Sequence, residues 1–209
     1  MAPHTWWLFV VTVFFVSATP GPNMLHVMAR SVELGLVRAM AAMAGCFVAV
    51  LSLLTASALG LTALLLAIPG AFAILRYAGA AYLIWLGYKA WTADDAPIDI
   101  GEGAVPANVS GARVFGTAFL VGIGNPKALL FAAAFLPQFI DAAAPKGPQF
   151  ALMVLTFDVI EISWYFAYAL GGRSIAAFLE RPAPRKAFNR LTGGLFIVFG
   201  LAMAGARSA

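Results

Sequence analysis

The sequence predicts an all-α membrane protein: six transmembrane helices forming two inverted three-helix repeats, with helices 1 and 4 broken. Three observations lead there. First, 62% of the 209 residues are hydrophobic and only 11% are charged, at a mean hydropathy of +0.90. Soluble domains carry about 25% charged residues, so this chain is too poor in charge to cover a water-facing surface. Second, six apolar stretches of about spanning length fall three on each side of one polar linker. Third, two of them, each the first of its half, are interrupted by proline, glycine and asparagine.

The stretches run about 6–29, 37–66, 71–91, 115–139, 150–171 and 191–206. A span needs roughly 20 apolar residues, and lipid offers no partner to an open backbone group, so each is expected to be a helix. Pro69-Gly70 separates the second from the third as a turn signal. The linker, about 92–114, holds Asp94, Asp95, Asp99 and Glu102. The chain therefore reads as one transmembrane domain over 1–209, with repeat 1 about 1–91 and repeat 2 about 115–209. The opening Met1-Ala-Pro-His-Thr-Trp-Trp has no Lys or Arg. It lacks the basic start of a secretory signal, so the first stretch is expected to stay as a helix.

Lys and Arg set the orientation. Nine of them (Arg30, Arg38, Lys89, Arg113, Arg173, Arg181, Arg185, Lys186 and Arg190) fall in loops one, three and five, against Arg76, Lys146 and Arg207 opposite. Those loops are expected in the cytoplasm and both termini in the periplasm. Three helices per half then give the halves opposite orientations, the layout of an inverted repeat.

The first span contains Thr19-Pro20-Gly21-Pro22-Asn23 and the fourth Gly124-Asn125-Pro126-Lys127. Proline removes a backbone donor and breaks the preceding turn. Thr19 before Pro20 and Asn125 before Pro126 both read as N-caps followed by proline at the first helical position. Each span becomes two half-helices, and the second opens with free N–H groups suited to a carboxylate. A single break would only shape packing. A matched pair points to the central site of a transporter.

Lys127, Asp158 and Glu161 lie within spans, where each charge costs about 2.5–3.5 kcal/mol on insertion scales. Asp158 and Glu161 share a helix face. Lys127 and Glu161 fall at similar depth and are expected to pair, and the second carboxylate, without a cation, favours holding a proton. A structural ion pair is the bland alternative. Trp164 and Tyr168 continue the Glu161 face, where they line a solute pocket or simply pack. Ala41, Gly45 and Ala49 form a small-residue stripe, read as a contact within the chain, with a homodimer face as the alternative. One cysteine and two histidines exclude an intramolecular disulfide, a dithiol relay and a cysteine-rich or His-rich metal site.

The chain resembles the lysine exporter (LysE) and homoserine/threonine exporter (RhtB) family. The resemblance rests on Thr19-Pro20-Gly21-Pro22-Asn23, Arg30-Ser31 with Gly35, Tyr77-Ala78-Gly79-Ala80-Ala81-Tyr82-Leu83 with Leu86-Gly87, and Asn125-Pro126-Lys127-Ala128 with Phe131. Leu136-Pro137-Gln138-Phe139, Trp164 and Asn189-Arg190-Leu191-Thr192-Gly193 complete it. It implies a six-helix bacterial inner-membrane exporter of amino acids, driven by the proton-motive force. The solute site would draw on Thr19, Pro20, Gly21, Pro22, Asn23, Asn125, Pro126, Lys127 and Trp164, and proton coupling on Asp158 and Glu161. Glu161 stands where many members carry an acid three residues before a tryptophan. Asp158 is additional, and the middle of the second span, Gly45-Cys46-Phe47-Val48-Ala49, lacks the polar residue many members have. Partners are then the solute, protons and membrane lipid, with no nucleic acid and no cofactor. An enzyme is disfavoured because neither a nucleophile motif nor a metal spacing is present. The rival reading is a divalent-cation exporter with Asp158 and Glu161 as oxygen ligands, against which Lys127 would repel the ion.

Overall fold

The computed structural model describes residues 1–67, 71–92, 109–141 and 143–205. Pro69-Gly70, the linker acids Asp94, Asp95, Asp99 and Glu102, and the last four residues with Arg207 lie outside the described residues. No strand occurs among those described. The order is α1 (Pro3–Ala18), α2 (Pro22–Leu34), α3 (Leu36–Ala67), α4 (Ala71–Trp91), α5 (Gly111–Ile123), α6 (Pro126–Leu130), a π turn (Phe131–Phe135), a 3-10 turn (Leu136–Phe139), α7 (Lys146–Glu180) and α8 (Pro182–Gly205).

Both anticipated breaks are present. α1 and α2 meet at 51°, and α5 and the segment after it at 60°. By length and composition α3 and α7 can each cross a membrane alone; with each bent pair taken as one span, up to four crossings are present among the described residues. The fourth stretch departs from a plain helix, since only five residues after its break are α-helical before the backbone widens into the π turn. Pro137 then holds the 3-10 turn. The wide turn leaves carbonyls off the α pattern, and Ser57 of α3 donates its hydroxyl to one of them, Ala132 O.

Local chemistry fixes the other joints. Gly35 joins α2 to α3 at φ 80°, a left-handed backbone that costs glycine nothing. Ser110 caps α5 by accepting from Arg113 N. Gln149 ties the approach to α7, its amide accepting from Asp141 N at 2.9 Å and donating to Asp141 O at 3.0 Å.

Three helix pairings organise the bundle. α1 runs parallel to α7 at a constant sequence offset. Trp6 donates to Thr156 at 3.1 Å, Phe14 stacks on Trp164 at 5.2 Å, and Tyr168 donates to Ala18 O at 2.8 Å. α3 runs parallel to α5 through the small-residue stripe: a Cβ on Gly45 would strike Phe115 O and Ala118, and one on Gly122 would lie 2.6 Å from the Ala49 Cβ. The stripe is thus a contact within the chain. α4 runs antiparallel to α8, with Gly87 against Gly193 and Gly200 against Ala80 and Ile84. Bare backbone meets bare backbone in both glycine-lined pairs, the packing that works where lipid removes the hydrophobic drive.

Two apolar layers result. Phe9, Phe131, Phe135, Phe139 and Phe157 dominate one; Met24, Met28, Met43 and Cys46 with Tyr165 and Tyr168 form the other. The outer surface carries large apolar side chains such as Val37, Leu59, Leu120, Val159 and Leu170, each at least two-thirds exposed. Such a surface suits hydrocarbon and not water.

Candidate functional site

The site grows out of what the broken first span leaves unsatisfied. An α-helix ends with orphan carbonyls and a negative dipole end. At the end of α1 each finds a different donor. Thr19 turns its hydroxyl back to Phe15 O at 2.8 Å. Tyr168 reaches Ala18 O. The Lys127 ammonium donates to Val16 O and to Thr19 O, both at 3.0 Å.

Thr19 is therefore the C-terminal cap of α1 and not the N-cap of the next helix, which corrects the reading of Thr19-Pro20 as a helix start. The physical reason is the second proline. A residue before proline is driven to extended backbone, and both Thr19 (ψ 126°) and Gly21 (φ −141°, ψ 176°) are extended. Helix resumes only at Pro22. Gly21 becomes the N-cap of α2, and no side chain caps that end. The missing Cβ matters here: one on Gly21 would lie 3.2 Å from Lys127 Nζ and 3.3 Å from its Cε.

The second break behaves as its sequence predicts. Asn125 caps α6, its Oδ1 accepting from Lys127 N at 3.0 Å, with Pro126 at the first helical position. The Asn125 amide also donates to Asn23 Oδ1 at 2.9 Å. Asn23 donates in turn to the Tyr165 hydroxyl at 3.3 Å. Asn23 and Asn125 are both buried, so one chain of hydrogen bonds joins the two breaks to α7.

Glu161 completes the group. It is 4% exposed and lies within electrostatic reach of Lys127, with the Ser17 and Tyr165 hydroxyls nearest its carboxyl. Lys127 and Glu161 nevertheless do not form an ion pair within 4.0 Å. The direct pair expected from their matched depth is replaced by the helix end, whose two carbonyls hold the ammonium without desolvating a second full charge. Ser17 Oγ is buried and has no hydrogen-bond partner.

The remaining candidates lie further out. Asp158 is half-buried one turn before Glu161, and its Oδ1 is buried without a partner. Trp164 packs on Phe14 and Tyr168, beside the hydrogen-bonded group. Pro20 and Pro22 shape the first break without a hydrogen bond of their own. No group of three or more His, Cys, Asp or Glu able to hold a metal occurs among the described residues.

Sequence reasoning missed Ser17 and Tyr165. Tyr165 was within reach of it, because residues at i+4 share a helix face as surely as those at i+3, and Glu161 to Tyr165 is such a step. Ser17 gave no signal, since a lone serine in an apolar run usually bonds its own helix.

The LysE type translocator family matches residues 14–206. The homoserine/homoserine lactone efflux protein of Salmonella typhimurium is 34% identical over 98% of this chain and 98% of its own. The leucine efflux protein of Salmonella choleraesuis is 31% identical over 95% of this chain and 94% of its own. An uncharacterized membrane protein of Vibrio cholerae is 27% identical over 98% of each. No solved structure matches. Family match and near full-length likeness agree with the broken, apolar spans, and the chain belongs to the LysE type translocator family.

Proposed function

We propose that this protein is a secondary active exporter of amino acids or amino-acid-like solutes across the bacterial inner membrane, working by proton antiport. One observation carries the reading: a buried ammonium and a buried carboxylate stand together where two spans break, yet are not bound to each other. A structural pair would close. An open pair offers each charge of a zwitterion a counter-charge in a low-dielectric setting. The solutes named for the two efflux relatives, homoserine, its lactone and leucine, share an amino group beside a carbonyl. A divalent-cation exporter finds no support in these relatives.

Glu161 takes the coupling role. An ionised carboxylate at such depth must be paired or protonated. Asp158, one turn toward the proposed periplasmic side, passes the proton inward. Protonation of Glu161 frees Lys127 to attract the solute carboxylate, and the solute's departure lets the carboxylate ionise again. Solute and proton thus compete for one charge, the minimum antiport requires.

Six spans in two inverted repeats suit the observed pairings. The first span packs on α7 and the fourth on α3, while α4 packs on α8. Exchanging the halves sends the first two pairs into one another and the third into itself. Parallel running in two pairs and antiparallel in the third is what six consecutive crossings require. Both termini then lie in the periplasm. A reporter fused to Ala209 tests this; a fusion active only in the cytoplasm overturns the orientation.

Inverted vesicles test the coupling. Glu161→Gln should abolish uptake driven by an imposed pH gradient, and Asp158→Asn should reduce it less, with both variants folded and inserted. Wild-type uptake by Glu161→Gln would remove Glu161 from the mechanism.

A further inference from the structure

We infer that the end of α1 is the subsite for the solute's ammonium group, and that Lys127 occupies it as a tethered stand-in until solute arrives. The inference rests on the export reading and deepens it by naming what anchors the solute. A primary ammonium has three donors and no acceptor. The Lys127 ammonium is the same chemical species as the amino group of a free amino acid at neutral pH. It sits on Val16 O and Thr19 O at 3.0 Å each, at the negative end of a helix.

The surroundings hold more acceptor capacity than Lys127 uses. Glu161 is buried beside it and unpaired with it. Ser17, 1% exposed and on the same helix turn as Val16, points a hydroxyl that bonds to nothing. A lysine serving only as a helix cap needs the carbonyls alone; the unpartnered hydroxyl and the open carboxylate are the surplus. The other two orphan carbonyls, Phe15 O and Ala18 O, are closed by Thr19 and Tyr168, so the opening is confined to the turn that Lys127 covers. Glycine at position 21 leaves room for the lysine stem to lie across the break.

Two ammonium groups cannot share this turn. Solute entry therefore displaces Lys127, whose released charge becomes available to the solute's carboxylate a few ångströms away. The ammonium is the required anchor under this scheme and the carboxylate a secondary one. The titratable groups around Glu161 are Lys127 from α6, Cys46 from α3, and Asp158 and Tyr165 on α7 itself; α1 and α2 present Ser17 and Asn23.

Equilibrium binding to the purified full-length protein tests this with three probes of one size: L-leucine, its 2-hydroxy-acid counterpart, and isoamylamine, which keeps the ammonium and lacks the carboxylate. Leucine and the amine should bind and compete with each other. The hydroxy acid should bind about tenfold more weakly or worse, the loss expected for a charge-assisted anchor. Lys127→Met, which removes the tethered competitor, should bind the amine about tenfold more tightly than wild type, by the same arithmetic. A hydroxy acid that matches leucine overturns the subsite. So does a monodisperse Lys127→Met that binds the amine no better, or a wild type that binds none of the three. Flux in proteoliposomes separates this from the export reading: the predicted binding order without flux sinks export and keeps the subsite, and flux indifferent to the ammonium sinks the subsite and keeps export.

Discussion

The two breaks look alike in sequence and differ in chemistry. The second seals itself. Asn125 caps the helix it begins, proline fills the position whose N–H has no use, and Gly124 stays near helical backbone at φ −83° and ψ −1°. The first stays open. No side chain caps α2, the helix before it ends in bare carbonyls, and the donor that satisfies two of them comes from the other break. One break is a fixed support and the other a socket. Approximate internal symmetry therefore need not mean two equivalent half-sites. Here one half supplies the cation and the other the place where it rests.

Substitution at matched glycines is the strongest way to break this comparison. Gly21→Ala puts a methyl 3.2 Å from Lys127 Nζ, and export should fall about tenfold or more, since sub-ångström to ångström displacement of a binding group has effects of up to 10²-fold. Gly124→Ala meets only Leu120 O of its own helix, at 3.3 Å, and should leave export within about twofold, given its near-helical backbone. Initial rates in proteoliposomes decide it; equal losses would make the breaks equivalent. Next come the asparagines. Asn125→Ala removes a cap and leaves Asn23 unmatched, costing about 2–3 kcal/mol of stability. Asn23→Ala removes no cap and should cost about 1–2 kcal/mol, so thermal unfolding in one detergent should rank Asn125→Ala below Asn23→Ala. Tyr168→Phe opens Ala18 O and should cost about 1 kcal/mol, the net worth of an ordinary hydrogen bond. The smallest effect belongs to Thr19→Val: its bond to Phe15 O duplicates one from its own backbone N–H, so the cost should stay near 0.5 kcal/mol. A larger loss there would mean Thr19 touches solute.

Much of this was legible in the sequence because lipid simplifies the problem. Apolar length alone located α3 and α7, and proline located both kinks. The cost of burying charge drew attention to Lys127 and Glu161 before any contact was known. Legibility failed where partners are chosen among acceptors of similar worth. Lys127 could meet a carboxylate or a helix end, and only three-dimensional placement favours the carbonyls. Thr19 was misread because a threonine before proline caps a helix in many contexts, while Pro22, two residues on, moved the start. The π turn has no such signal: Phe131-Ala-Ala-Ala-Phe135 reads as ordinary helix, and its wide backbone depends on Ser57 from another span.

That turn has a consequence for how the protein can change over generations. A π turn holds one residue more than the α-helical turn it replaces. Deleting a single alanine between Phe131 and Phe135 would restore ordinary pitch and swing everything beyond it by about 100° around the helix axis. Phe135 and Phe139 would lose their registration with Phe131 and Phe9, whose rings they now meet at 5.0 and 5.1 Å. In this segment selection acts on chain length as strictly as on residue identity, so an alanine here is easier to exchange than to lose.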